Sequence, residues 1–336
     1  MSEDPFAAFS PERREVVWAA LVDAFGAFPT GAITPIAGGA STASTFRVKA
    51  GGADYLLRVE GTPSPLRNPH QYASMRIAAE AGIAPKVRYV DETARVAVID
   101  FIAARPLSTY PGGAHALVQA LGTLLARLQS APIFPQFVTY PDIVARLFAH
   151  VRRTGLFAAG VLDPHLERLE RVREAFVGGS SELVSSHNDV IPSNILFDGK
   201  RLWLIDWESA YRNDAFVDVA IVLDSVVRSP ELEGVLLAAW AGSVPDEAMR
   251  ARLELARALT RLYYAGVLLS ASAAASWITG DTDLAAPTPL AVERAIRNGR
   301  LKRGAPETKH TLGKMFLASF LSGGPTPGFD AAVESA

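Results

Sequence analysis

The spacing of apolar positions changes character along this 336-residue chain. Behind Ser10-Pro11, a Ser N-cap with Pro at the first helical position, Val16, Val17, Ala20, Leu21, Ala24 and Phe25 recur at helical spacing. Gly26 ends that run. From 32 to 60 the period shortens toward two. Thr45–Val48 and Tyr55–Val59 predict strands joined by a turn at Ala50-Gly51-Gly52-Ala53. A helix is predicted over 69–81, closed by Gly82 and then Pro85, followed by strands over 86–90 and 95–101 around a turn at Asp91-Glu92. Beyond a linker at 103–111 the helical period returns, over 113–130, 142–153, 164–177, 215–228, 231–241, 246–272 and 288–299. Strand signals interrupt it near 182–186, 194–198 and 201–206. The Gly-Gly-Pro-Thr-Pro-Gly run after Ser322 predicts an unstructured tail.

This order predicts an α+β chain in two lobes. Residues 1–102, with a helix over about 11–26, form a lobe built on a small antiparallel sheet with one inserted helix. Residues 103–336 form a larger, mainly helical lobe.

Composition narrows the classes of partner. Apolar residues make up 49% of the chain, enough for two cores, and 33 basic residues nearly balance 35 acidic ones. A net charge of −2 provides no bulk field toward nucleic acid or an anionic membrane, and neither partner is expected. The absence of cysteine excludes disulfides and thiolate metal sites and fits a reducing cytoplasm. Met1–Pro5 has no apolar leader core, and Tyr264–Ile278 is too short and too rich in Ser to span a bilayer. The expected location is cytoplasmic.

The candidate chemistry lies in His187-Asn188-Asp189-Val190-Ile191-Pro192-Ser193-Asn194 and, twelve residues after Asn194, Asp206-Trp207-Glu208. Asp189 is a candidate proton acceptor for an attacking hydroxyl. Asn194 and Asp206 offer the oxygen ligands that Mg²⁺ prefers, with phosphate and water completing its shell. His187 is read as a positioning side chain that hydrogen-bonds nearby backbone, and Pro192 favours an extended Ile191. A tight turn at Asp198-Gly199-Lys200 joins the two segments. With Gly199-Lys200 as the loop, position 194 lies opposite 205; with Asp198-Gly199, it lies opposite 203. In the first lobe Gly38 and Gly39 permit close backbone approach to phosphate, and Ser41 and Thr42 add hydroxyl donors. Arg58 offers a permanently charged fork for phosphate oxygens.

These residues resemble the choline kinase and aminoglycoside phosphotransferase group, which shares the bilobal fold of protein kinases. The resemblance covers most of 32–228 and is strongest in Ser186–Asn194 and Leu202–Glu208, where Trp-Leu-Ile-Asp-Trp-Glu is similar to the bacterial choline kinase branch. Gly38–Thr42, Leu57-Arg58-Val59, Ala81–Pro85 and Asn213–Ala220 support it. It implies Asp189 as catalytic base, Asn194 and Asp206 as Mg²⁺ ligands and Arg58 as the phosphate-binding cation. It also implies adenine on the backbone near Asp100, Phe101 and Ile102, and Asp218 as an anchor of the catalytic loop.

Two departures stand out. Gln71 occupies the place of the helix carboxylate that pairs with the strand cation in the relatives, and Ser209 replaces an aromatic residue after Trp-Glu. Trp207 and Glu208 are candidates for the acceptor site, a carboxylate beside an aromatic ring suiting a cationic amino alcohol. The expected activity is ATP- and Mg²⁺-dependent phosphorylation of a hydroxyl on such a small molecule, by a monomer or homodimer. The alternatives are a phosphotransferase for an aminoglycoside, homoserine or thiamine-like alcohol, or a nucleotide-binding protein with little catalytic activity.

Overall fold

Gly51 and Gly52 take φ of 56° and 79°, a left-handed pair that side chains resist, and this lets the chain reverse between two strands with no intervening loop. The resulting hairpin is the centre of a five-stranded antiparallel sheet in a computed structural model. The structure describes residues 6, 9–27, 33–36, 43–61, 68–178, 182–227 and 229–322. Gly38, Gly39, Ser41 and Thr42, and the tail after Ser322, lie outside the described residues.

By compactness the chain divides into two units, residues 1–137 with 184–212 and residues 138–183 with 213–336. This division differs from the expected lobe boundary at 102/103, since 103–137 and the motif-bearing 184–212 cluster with the sheet.

The first unit begins with α1 (Pro11–Phe25). Ser10 is its N-cap residue, but the Ser10 side chain makes no cap bond; the backbone oxygen accepts from Arg13 and Arg14. The sheet contains β1 (Ile33–Pro35), β2 (Ser44–Ala50), β3 (Ala53–Val59), β4 (Val87–Asp91) and β5 (Val96–Asp100) in the order β1-β2-β3-β5-β4. The short strand β1 was not foreseen from the pattern; Pro35 sits at the sheet edge, where a missing N–H is tolerated. Alternation along β2 and β3 puts Phe46, Val48, Leu57 and Val59 into one core with Val17 and Leu21 of α1. Leu56, Arg58 and Glu60 therefore belong to the opposite face. Between β3 and β4 lies α2 (Gln71–Glu80), ended through Gly82 at φ 66°.

The later elements of this unit are α3 (Gly113–Gln129), β7 (Ile195–Phe197) and β8 (Leu202–Leu204), which pair, with most of β6 (Leu183–Ser186) and the first half of β9 (Tyr211–Asp214), β6 and β9 forming a second strand pair. Ile195 pairs with Leu204, and the Ile205 N–H donates to Asn194 O at 3.0 Å. The hairpin thus uses Gly199-Lys200 as its loop. Asp198 fixes that choice by accepting from the N–H groups of Lys200 and Arg201 and from Trp203 Nε1. Burial opposes ionisation of Asp198, but these donors outweigh it and hold the carboxyl below its usual range.

The second unit is helical: α4 (Tyr140–Arg153), α5 (Asp163–Gly178), α6 (Ala215–Ser225), α7 (Pro230–Ala241), α8 (Glu247–Ala273), α9 (Pro289–Arg297) and α10 (Pro306–Ser322). The sequence pattern did not reveal α10. Helices α4, α5, α6 and α10 pack around the long α8. Close approach of α10 depends on Gly313, where an added Cβ would lie 2.6 Å from Leu269 Cγ. Asp224 of α6 is shared by Arg257 and Arg261 of α8, so the Arg261 charge is compensated inside the fold.

Candidate active site

The His187–Asn194 loop is shaped by its own polar side chains. Asn188 takes φ 61°, a conformation that Asn tolerates better than most residues. Its side chain accepts from Ser186 Oγ at 2.9 Å and donates to Ser209 O at 2.8 Å. His187 is fully buried; its Nε2–H donates to Ile205 O at 2.8 Å and its ring lies against Trp207. Ile191 is extended before Pro192, as the Pro restriction predicts. A 3₁₀ turn over Pro192–Asn194 then brings Asn194 back under Asp189.

That turn creates the central contact. Asn194 Nδ2 donates to both the backbone oxygen and the carboxylate Oδ2 of Asp189, at 2.9 Å each. With its nitrogen so committed, Asn194 presents its amide oxygen as the remaining ligand atom. Asp206 stands at φ 65°, directly after the strand pair, in a left-handed conformation that turns the chain into the 3₁₀ turn Trp207–Ser209.

Arg58 of β3 meets a ring of carboxylates. Its Nη1 lies 3.2 Å from Asp206 Oδ1, its Nε lies 3.3 Å from Glu60 Oε1, and its Nη2 contacts Glu208 Oε1. Glu208, expected toward an acceptor cation, engages Arg58. Trp207 is 5% exposed and packs its ring against His187 and Phe134. Gln71 does not reach Arg58 among these contacts. It donates instead to both oxygens of Glu60, at 2.8 and 2.9 Å. Asn68 Nδ2 and Ser74 Oγ both donate to Ala210 O, tying α2 to the segment after Glu208.

Asp189, Asn194, Asp206 and Arg58 all line a cavity of about 450 Å³, a volume suited to a small ligand. Ala84, Ile99, Phe101, Ile102, Leu196 and Ile205 line an apolar part of it. The Asp100 N–H donates to Lys86 O and the Phe101 N–H to Asp54 O, so neither is spare for a ligand. The Asp100 carboxylate pairs with Arg88 at 2.6 Å. Ile36 and Ala43, which flank the glycine-rich stretch in sequence, also line the cavity. Asp218 is fully buried in α6, in the second unit.

Sequence reasoning missed Glu60 and Asn188. A signal existed for the first: Glu60 follows Arg58 by two residues, so strand alternation places both on one face. Asn188 lay inside the motif, but only the backbone shows its left-handed turn.

The donor set fits Mg²⁺: hard oxygen atoms from Asn194 and Asp206, facing a space where phosphate and water would complete the shell. Among the described residues no group of three or more His, Cys, Asp or Glu side chains gathers as a metal site.

The sequence profile of the phosphotransferase enzyme family matches residues 32–255. A 77-residue stretch is 32% identical to the protein LicA of Haemophilus influenzae; it spans 22% of this chain and 29% of that relative. A choline/ethanolamine kinase family protein from Mesorhizobium loti has a similar structure, with a TM-score of 0.65 and 20% identity over 96% of this chain and 98% of that one. Choline kinase LicA from Streptococcus pneumoniae aligns with a TM-score of 0.64 and 13% identity, over 92% and 99% of the two chains. Spectinomycin phosphotransferase APH(9)-Ia, solved with ADP and spectinomycin, aligns with a TM-score of 0.55 and 12% identity, over 96% and 98%. The fold is the α+β fold of protein kinases.

Proposed function

Because this chain belongs to the phosphotransferase enzyme family, we propose that it transfers the γ-phosphoryl group of ATP to the hydroxyl of a small amino alcohol of the choline or ethanolamine type. The single observation that carries the reading is the Asp189–Asn194 contact in the lining of the cavity, which the Arg58–Asp206 pair also lines.

Asp189 accepts the hydroxyl proton as the oxygen attacks phosphorus, and Asn194 holds its carboxylate in place. Arg58 meets the phosphate oxygens, replacing part of its contact with Asp206 and Glu208. Gly38, Gly39, Ser41 and Thr42 are assigned to phosphate on their sequence chemistry. The adenine occupies the apolar part of the cavity beside Phe101 and Ile102, and Ile102 supplies the backbone donor there. Asn194 Oδ1 and the Asp206 carboxylate would hold Mg²⁺, which would supply charge neutralisation of the transferring phosphoryl group. Asp218 supports the catalytic loop.

The amino-alcohol acceptor is supported by the likeness to proteins described as choline or choline/ethanolamine kinases. A second reading, a larger polycyclic or sugar-like alcohol, is supported by the likeness to spectinomycin phosphotransferase. ADP release measured across choline, ethanolamine, homoserine, thiamine and an aminoglycoside separates them. Turnover with choline or ethanolamine is the expected result. Turnover confined to another alcohol rejects the amino-alcohol assignment.

A further inference from the structure

Glu60 is a charged residue in a place that exacts a cost. Its side chain is 4% exposed, and a buried carboxylate is tolerated only with partners. The fold supplies them from two directions. Both of its oxygens accept from Gln71 Nε2, and Oε1 also faces Arg58 Nε. The backbone is pinned as well: Glu60 N–H donates to Arg95 O at 3.1 Å, and Arg13 Nη2 donates to Glu60 O at 2.7 Å. Arg13 in turn anchors α1 to Ala94 O through its other nitrogen.

Gln71 is itself 4% exposed on α2, so its amide cannot easily turn elsewhere. Fixing Glu60 fixes the Nε edge of Arg58, while Nη1 and Nη2 point toward Asp206 and Glu208 at the cavity. A guanidinium held along one edge keeps its other edge in a set orientation, which a phosphate can exploit.

We propose that Glu60 and Gln71 are the positioning residues of Arg58 in phosphoryl transfer: the orienting carboxylate comes from the end of β3 itself, and the helix contributes the neutral amide that holds it. The inference rests on the phosphotransferase reading above. It accounts for a neutral residue at position 71. A second carboxylate there would face Glu60 at hydrogen-bond distance and repel it.

The test compares wild type with Glu60→Gln, Gln71→Met and the exchanged pair Glu60→Gln/Gln71→Glu. Mg·ATP binding is measured by titration calorimetry, ADP release with each alcohol of the panel above, and the folded fraction by thermal melting. Glu60→Gln is expected to lower kcat per folded molecule by about 100-fold with Mg·ATP affinity changed far less, since misorientation is felt mainly in the reacting geometry. Gln71→Met should move kcat in the same direction by a smaller factor, and it decides the matter if Glu60→Gln does not fold. The exchanged pair keeps one carboxylate and one amide but moves the carboxylate off position 60, the one that faces Arg58 Nε, so it should stay as impaired as Glu60→Gln. Recovery by the pair would overturn the assignment of the orienting carboxylate to position 60. A purely structural role would lower the melting temperature and leave kcat per folded molecule intact, which would overturn the proposal. Absence of Mg·ATP binding by the wild type would overturn the underlying phosphotransferase reading instead.

Discussion

Asn194 touches Asp189 twice, at its backbone oxygen and at its carboxylate, both at 2.9 Å. One amide therefore holds the carboxylate of the proposed proton acceptor and leaves its own oxygen for the proposed Mg²⁺. Asn194→Ala removes both effects. It should lower turnover about 100-fold and raise the Mg²⁺ concentration needed for half-maximal rate. Steady-state rates over a Mg²⁺ series check this; an unchanged Mg²⁺ dependence would assign Asn194 to loop structure alone.

Asp206 combines a proposed ligand role with a left-handed backbone at φ 65°. Asn accepts that conformation, so Asp206→Asn should fold normally and lose activity through charge. Asp206→Ala should additionally lose about 1 kcal/mol of stability, because alanine resists that region. Urea unfolding of the two variants, set beside their turnover, separates charge from backbone.

Stability should depend on pH through His165. It is 2% exposed on α5, and burial, with the nearby Arg168 charge, lowers its pKa to about 4 despite a bond to the Leu317 backbone. The folded pKa lies below the unfolded value, so the unfolded state takes up the proton first. The contribution is fully present above about pH 6.5, is lost as pH falls, and levels off near pH 4. Discounted for solvent screening, it is on the order of 2 kcal/mol. His165→Phe should flatten this part of the stability–pH curve measured by denaturant titration.

Helix α10 should be intolerant of bulk at its contact with α8. Gly313→Ala would drive a Cβ to 2.6 Å from Leu269 Cγ and 2.7 Å from Leu269 Cδ2. Overpacking of this kind costs about 1–3 kcal/mol. Thermal unfolding of Gly313→Ala, and of Gly313→Ala with Leu269→Ala to reopen the space, tests the contact. The second change should recover part of the first loss.

Local chemistry made much of this legible in sequence. The Gly51-Gly52 turn, the β2–β3 hairpin and the helix closed by Gly82 carry their own stop signals. So does the Asp198-Gly199-Lys200 turn, although its register needed the Asp198 hydrogen bonds to decide. Elements that depend on tertiary partners were harder to see. Strand β1 is three residues long and exists by pairing with β2; α10 is held by its fit to α8 at Gly313. In the site, residue types and spacing brought out Asp189, Asn194 and Asp206. The pairing of Arg58 with Glu60 and Glu208 depends on which partners lie within reach in three dimensions, and spacing along the chain carries only the first of these.

The central claim is transfer of phosphoryl from ATP to an alcohol with Asp189 as proton acceptor. Its most direct test follows γ-labelled phosphate from ATP onto each alcohol of the panel, for wild type and Asp189→Asn, with Mg·ATP binding measured in parallel. Labelled phosphate ester should form with the wild type and fall by at least about 100-fold in Asp189→Asn, while nucleotide binding persists. Equal labelling by the two proteins would contradict the role of Asp189, and wild-type binding of Mg·ATP with no ester from any alcohol would contradict the claim itself.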